Sequence, residues 1–200
     1  PKGGRGYHFV GGLVVSRKQF IEVEKEIINL GNVAAGAVRE GVIRFNYSDV
    51  KQDLQVTKAN DSQINKLELD KTTIEVDCGA TDKDSIAFVF RPMEIGNWSN
   101  IVTINDPKTG KSKTVTLTAT VTIGEQQIIW NPETNILQST PPQLNAVATS
   151  GLPVTYEVTS GTDVASIVDG QVIINKIGTF TITVKAPASS SFKAAELSVN

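Results

Sequence analysis

The chain has 200 residues, 40% of them hydrophobic and 20% charged, a balance that supports a packed core and excludes a disordered polyelectrolyte. With 19 basic against 21 acidic residues the net charge is −2, which excludes a nucleic-acid partner held by a concentrated basic face. No stretch reaches the roughly 18 apolar residues of a membrane-spanning helix, so no membrane insertion is expected of this segment.

Residues 1–26 read as an N-terminal tail, a linker or the remnant of a preceding module. Pro1 to Gly6 is rich in glycine and basic residues, as exposed termini are. Tyr7 to Val15 is a candidate strand broken at Gly11–Gly12, and the mixed charges of Ser16 to Glu26 suit a short helix. From Ile27 the pattern sharpens. Ile27 to Leu30, Val42 to Tyr47, Leu54 to Thr57, Lys66 to Leu69 and Thr73 to Val76 are short segments rich in alternating apolar residues, the period of a half-buried strand. Ser85 to Arg91 is nearly continuously apolar, as a central strand is. Ile101 to Ile104 and Lys113 to Ile123 follow, separated by Asn105-Asp106-Pro107-Lys108-Thr109-Gly110. Asp opens that turn, Pro presets φ and Gly supplies a positive φ, so the two segments are expected to form a hairpin.

Gly124 begins a second series. Gln127 to Trp130, Gln143 to Ala148, Val154 to Val158, Val164 to Val168, Gln171 to Ile174, Gly178 to Lys185 and Ala195 to Val199 read as strands, with Asp169-Gly170 as a tight turn. Strands at this spacing, with turn residues between them, predict an all-β chain of two tandem immunoglobulin-like β-sandwich domains, over 27–123 and 124–200. A short junction near Ile123 to Gln126 is expected to limit bending between them.

Two family resemblances accompany this reading. In the second half, Gln127-Ile128-Ile129-Trp130, Ser150-Gly151-Leu152-Pro153-Val154-Thr155-Tyr156, Gly178 to Thr183 and Phe192-Lys193-Ala194-Ala195 resemble a mostly bacterial immunoglobulin-like (MBG-like) repeat over about 125–200. In the first half, Ile28 to Gly36, Phe88-Val89-Phe90-Arg91-Pro92 and Gly96 to Ile104 are similar to the Hydin-like (ASH) and choice-of-anchor sandwiches, close to the major-sperm-protein fold, over about 27–123. The resemblances imply non-catalytic spacer or adhesion-type modules of a larger bacterial secreted or surface protein, with an unknown protein or glycan at the cell surface as partner. Cys78 is the single cysteine, so no internal disulfide forms, which suits a bacterial surface better than a disulfide-stapled animal module. The chain starts at Pro1 without a signal segment, and reads as a piece of a longer exported protein.

Candidate chemistry is sparse. His8 is the only histidine, and a nucleophile–base device would need it beside a partner such as the distant Cys78. Cys78 follows Asp77, which disfavours a reactive thiolate, and one Cys with one His makes no closed zinc site. Asp77, Asp82 and Asp84, read as one loop, are weak calcium candidates because calcium takes several such oxygens. Gly110-Lys111-Ser112 lacks the glycine that a phosphate loop needs at position 105, which is Asn. Asn46-Tyr47-Ser48, Asn60-Asp61-Ser62 and Asn97-Trp98-Ser99 match the N-glycosylation triplet, which a bacterial source would leave bare. Among the aromatic residues Tyr7, Phe9, Tyr47, Trp98, Trp130 and Tyr156, the rings of Trp98, Trp130 and Tyr47 are the candidates for a carbohydrate-binding row. That would make the chain an accessory module of a glycan-degrading enzyme or adhesin. No cofactor and no enzymatic activity are expected.

Overall fold

The computed structural model describes residues 19–48, 50, 52–60, 62–76, 81–136 and 139–200. Sixteen strands, β1 to β16, account for all regular structure among them. In the first half these are β1 (Phe20–Val23), β2 (Ile27–Ala34), β3 (Arg39–Ser48), β4 (Leu54–Lys58), β5 (Lys66–Leu69), β6 (Thr73–Ile74), β7 (Thr81–Arg91), β8 (Gly96–Asn105) and β9 (Ser112–Thr122). They form a four-stranded sheet in the order β1-β3-β7-β5 and a five-stranded sheet in the order β2-β9-β8-β4-β6. All pairings are antiparallel except β2 with β9.

The period of two decides which side chains fill the space between these sheets. Along β3, Ile43, Phe45 and Tyr47 are buried while Val42, Arg44 and Asn46 face solvent. From the opposite sheet come Leu54 and Val56 of β4, Val102 and Ile104 of β8, and Val115, Leu117, Ala119 and Val121 of β9. The apolar run in β7 also alternates: Ile86, Phe88 and Phe90 are buried, and Ala87 and Val89 only partly so. The strand is central, paired with β3 and β5, but one of its faces lies towards the outside. Each fully buried Phe, Leu or Ile contributes about 1.5–3 kcal/mol relative to exposure.

Residues 20–23 do not form a tail or a helix. They are β1, paired with β3 in the register Phe20↔Ser48 to Val23↔Phe45, and Ile21 is buried in the first core. A four-residue edge strand with one fully buried side chain, flanked by the charges of Glu22, Glu24 and Lys25, is too short to show a clear period, which is why its sequence looks like a linker. The candidate strand Tyr7 to Val15 lies outside the described residues.

The second half contains β10 (Ile128–Ile129), β11 (Val147–Ala148), β12 (Thr155–Ser160), β13 (Ala165–Val168), β14 (Gln171–Ile174), β15 (Thr181–Ala186) and β16 (Ala195–Val199). A three-stranded sheet, β12-β15-β16, faces the two-stranded pairs β10-β11 and β13-β14 across a smaller core. That core holds Trp130, Ala146, Ala165, Val172, Ile182 and Val184. Asp169 and Gly170, at φ 51° and 73°, turn β13 into β14 with the paired positive φ values that the Asp-Gly dipeptide favours. Gly110, at φ 70°, closes the β8–β9 hairpin as the sequence predicts. The chain is an all-β, immunoglobulin-like sandwich protein.

Candidate functional site

The fold distributes the candidate groups rather than gathering them. Tyr47 is 3% exposed on the inner face of β3, its ring centroid 6.2 Å from that of Phe45. Trp130 is a core residue of the second half. Its indole N–H donates to the carbonyl of Gln143 at 3.0 Å, and its ring meets Tyr156 edge-on at 5.8 Å. Trp98 stacks on Phe90 with centroids 4.0 Å apart and packs against the first core. The three rings therefore do not form an exposed row for sugar binding. Strand alternation turns Tyr47 inward, and both indoles gain more from packing on neighbouring rings than a solvent-facing position offers.

The acidic candidates also resolve differently. Asp82 and Asp84 do not sit in a loop: both belong to β7, paired with Tyr47 and Phe45 of β3. One oxygen of Asp84 accepts from the Lys71 ammonium at 2.9 Å and from the backbone N–H of Ser85. Asp82 accepts from the backbone N–H of Lys83. Among the described residues no three Asp, Glu, His or Cys side chains converge as metal ligands. Asp77, Cys78 and His8 lie outside the described residues, as do Tyr7 and Phe9. Gly110, Lys111 and Ser112 belong to the hairpin, where the Lys111 ammonium donates to the Gln19 carbonyl rather than facing an anion site.

Two polar centres that sequence reasoning did not single out hold the scaffold together. The first is Asp106, read only as a turn opener but 1% exposed. Its carboxylate accepts from the Thr109 hydroxyl at 2.8 Å, the backbone N–H of Lys108 at 2.9 Å and the side-chain amide of Gln19. Burial opposes its charge, but these donors outweigh burial and hold the carboxyl below the usual carboxylate range. Asp106 thereby ties the β8–β9 hairpin to the residue preceding β1.

The second centre lies where the two halves meet. Ala35 donates its backbone N–H to Thr122 at 2.8 Å, closing the end of β2 onto β9, and Gly36 donates to Pro92 at 2.7 Å, just past the end of β7. Two residues beyond Thr122, Gly124 donates to Ser191 at 2.8 Å and accepts from Lys193 at 3.0 Å. The Gln126 side chain, also buried, donates to the carbonyls of Pro187 at 2.9 Å and Lys193 at 2.7 Å and accepts from the Ser150 hydroxyl. The only sequence signals here are Gly36 and Gly124, whose need for close backbone approach shows only once their neighbours are placed.

No family model matches the chain, and no curated protein matches it. Solved structures align with it only at low identity and low structural similarity. The ASH/PapD-like domain of human CEP192 aligns at 8% identity over 58% of this chain and 97% of that chain, with a TM-score of 0.42. The C. elegans MSP family member WR4 aligns at 12% identity over 50% of this chain and 96% of that chain, with a TM-score of 0.33. An endo-fucoidan hydrolase of glycoside hydrolase family 107 aligns at 16% identity over 89% of this chain but 28% of that chain, with a TM-score of 0.44. The sandwich assignment itself rests on the strand pairing described above.

Proposed function

We propose that this chain is a non-catalytic pair of structural and interaction modules from a larger protein, acting as a spacer or an adhesion-type element. The observation that carries this reading is where its candidate groups direct their bonds. Tyr47, Trp130 and Trp98 pack on core rings, Asp84 pairs with Lys71, and Asp106 and Gln126 satisfy backbone groups of their own fold. Each of these side chains is engaged in holding a strand, a turn or the joint. The same placement disfavours the carbohydrate-binding reading.

In this proposal the first module runs from β1 to about residue 123 and the second from 124 to 200. The MBG-like resemblance of the second half supports a bacterial surface or exported setting, with an unidentified partner at the cell surface.

Single-molecule stretching tests the spacer role. Two separate unfolding events are expected, with length gains of roughly 35 and 25 nm, from modules of about 100 and 75 residues extended at about 3.5 Å per residue. Turnover of a substrate that a point mutation abolishes would refute the proposal.

A further inference from the structure

Separate domains in one chain move relative to one another by default, unless their interface is large and apolar. The joint between these two sandwiches departs from that default at one residue. Phe192 belongs by sequence to the second half, three positions before the start of β16, yet it is 5% exposed and buried in the core cluster of the first half. Leu152, also from the second half, packs against that same cluster.

The ring is presented by a loop that is itself fixed. The Ser189 hydroxyl accepts from the backbone N–H groups of Ser191 at 3.2 Å and Phe192 at 3.1 Å, while the Ser189 N–H donates to the Phe192 carbonyl at 2.9 Å. Its target is shaped by glycine. A Cβ on Gly36 would lie 3.1 Å from the edge of the Phe192 ring, so the ring rests directly on backbone there. Gly36 has φ 79°, a conformation that glycine adopts without strain. At Gly124 the approach is tighter still: a Cβ would sit 1.9 Å from the Ala35 carbonyl oxygen.

We infer that Phe192 is a pin that locks the two sandwiches into one rigid body, with Gly124 as the contact that lets the backbones close. The chain between them contributes almost no slack. β9 ends at Thr122, and Gly124 is already bonded on both its N–H and its C=O to the 191–193 segment. The rigidity therefore comes from a docked loop distant in sequence, and not only from a short linker. The orientation of the second module, and of whatever surface it presents, is fixed by the first. This inference does not depend on what the protein binds.

Rotational diffusion from ¹⁵N relaxation, read on the 200-residue chain, tests it. Amides of β1 to β9 and β10 to β16 are expected to fit one common diffusion tensor. Phe192→Ala, with the amide dispersion of both halves retained, is expected to split them into two tensors. Two independent tensors in the unaltered chain would overturn the inference, as would a common tensor unchanged by Phe192→Ala. Since removing the ring can also loosen its own loop, Gly124→Ala supplies a second decision. It removes no core side chain and forces the backbones apart at Ala35. Loss of the common tensor in Gly124→Ala supports the pinned joint, and its retention with the orientation unchanged overturns it.

Discussion

Among the described residues, twenty-two buried side chains form one cluster in the first half, and Phe192 is the member that comes from beyond residue 123. The second sandwich has a cluster of six. Strand length explains much of the contrast. β3, β7, β8 and β9 have 10 or 11 residues each, so each delivers two to four side chains to the core. Among the described residues, no strand of the second half exceeds 6 residues. There, side-chain hydrogen bonds do part of the work that apolar area does in the first. Trp130 reaches Gln143, Tyr156 reaches Ala146, and the hydroxyls of Thr159, Thr183 and Ser198 form a row across β12, β15 and β16. Thr183 points away from the core yet is 2% exposed, because its neighbours in that row cover it. One half is held mainly by area, the other by a thin core with polar staples.

The sharpest way to break this comparison is to empty part of the first core. Phe88 is 1% exposed on central strand β7, and a Cβ on Gly41 would meet its ring at 2.4 Å, so the ring fills its site without slack. Phe88→Ala is expected to cost about 3–5 kcal/mol, because the lost transfer energy adds to a cavity that close packing cannot collapse. Urea unfolding followed through Trp98, the indole of the first sandwich, measures it. A loss below about 1 kcal/mol would mean that the first half is not held by packed area.

The next largest effect is expected at Asp106, a buried polar hub of the first half. Asp106→Ala removes an acceptor for several donors and is expected to cost about 2–3 kcal/mol, the range for hydrogen bonds to a charged group. The pH dependence has a definite sign. Because the folded carboxyl titrates below its unfolded value, its contribution is present above the unfolded carboxylate pKa of about 4. That contribution is lost as pH falls through the lower, folded value. Thermal midpoints of Asp106→Asn are therefore expected to fall less steeply than those of the unaltered protein on acidification below about pH 4. Parallel acid profiles would remove Asp106 from the account.

The architecture was legible where alternation is strong. Ile43, Phe45 and Tyr47 against Arg44 and Asn46 identify both a strand and its buried face, and the fourteen other segments read as strands, some by alternation and Ser85 to Arg91 as an apolar run, also become strands. What escaped was set by distant partners. Only Ile21 of β1 is fully buried, with Val23 packed partly against the core, and two inward residues among the charges of Glu22, Glu24 and Lys25 leave little periodicity to read. Asp106 has the sequence of an ordinary turn, and its burial depends on Gln19, 87 residues away. Phe192 follows three serines that announce a turn, and nothing local says that its ring leaves its own sandwich. Tyr47, Trp98 and Trp130 were visible as aromatic residues, but their use as core rings depends on the partners Phe45, Phe90 and Tyr156.

The smallest effect tests the polar staples of the second half. The Tyr156 hydroxyl accepts from the backbone N–H of Ala146 at 2.7 Å, while its ring lies against the edge of Trp130. Tyr156→Phe keeps the ring and its contact and removes only the oxygen. It leaves the Ala146 N–H without this acceptor beside a buried residue, at an expected cost of about 1–2 kcal/mol. Fluorescence of Trp130, recorded in a Trp98→Phe background, reports the transition of this half alone. If the staples matter as much as the thin core implies, the Trp130 midpoint falls while the first half, followed through the backbone amides of β3 and β7, stays in place. An unchanged Trp130 midpoint would instead mean that six buried residues and the docking of Phe192 suffice to order the second sandwich, and that its side-chain hydrogen bonds merely exchange one partner for water.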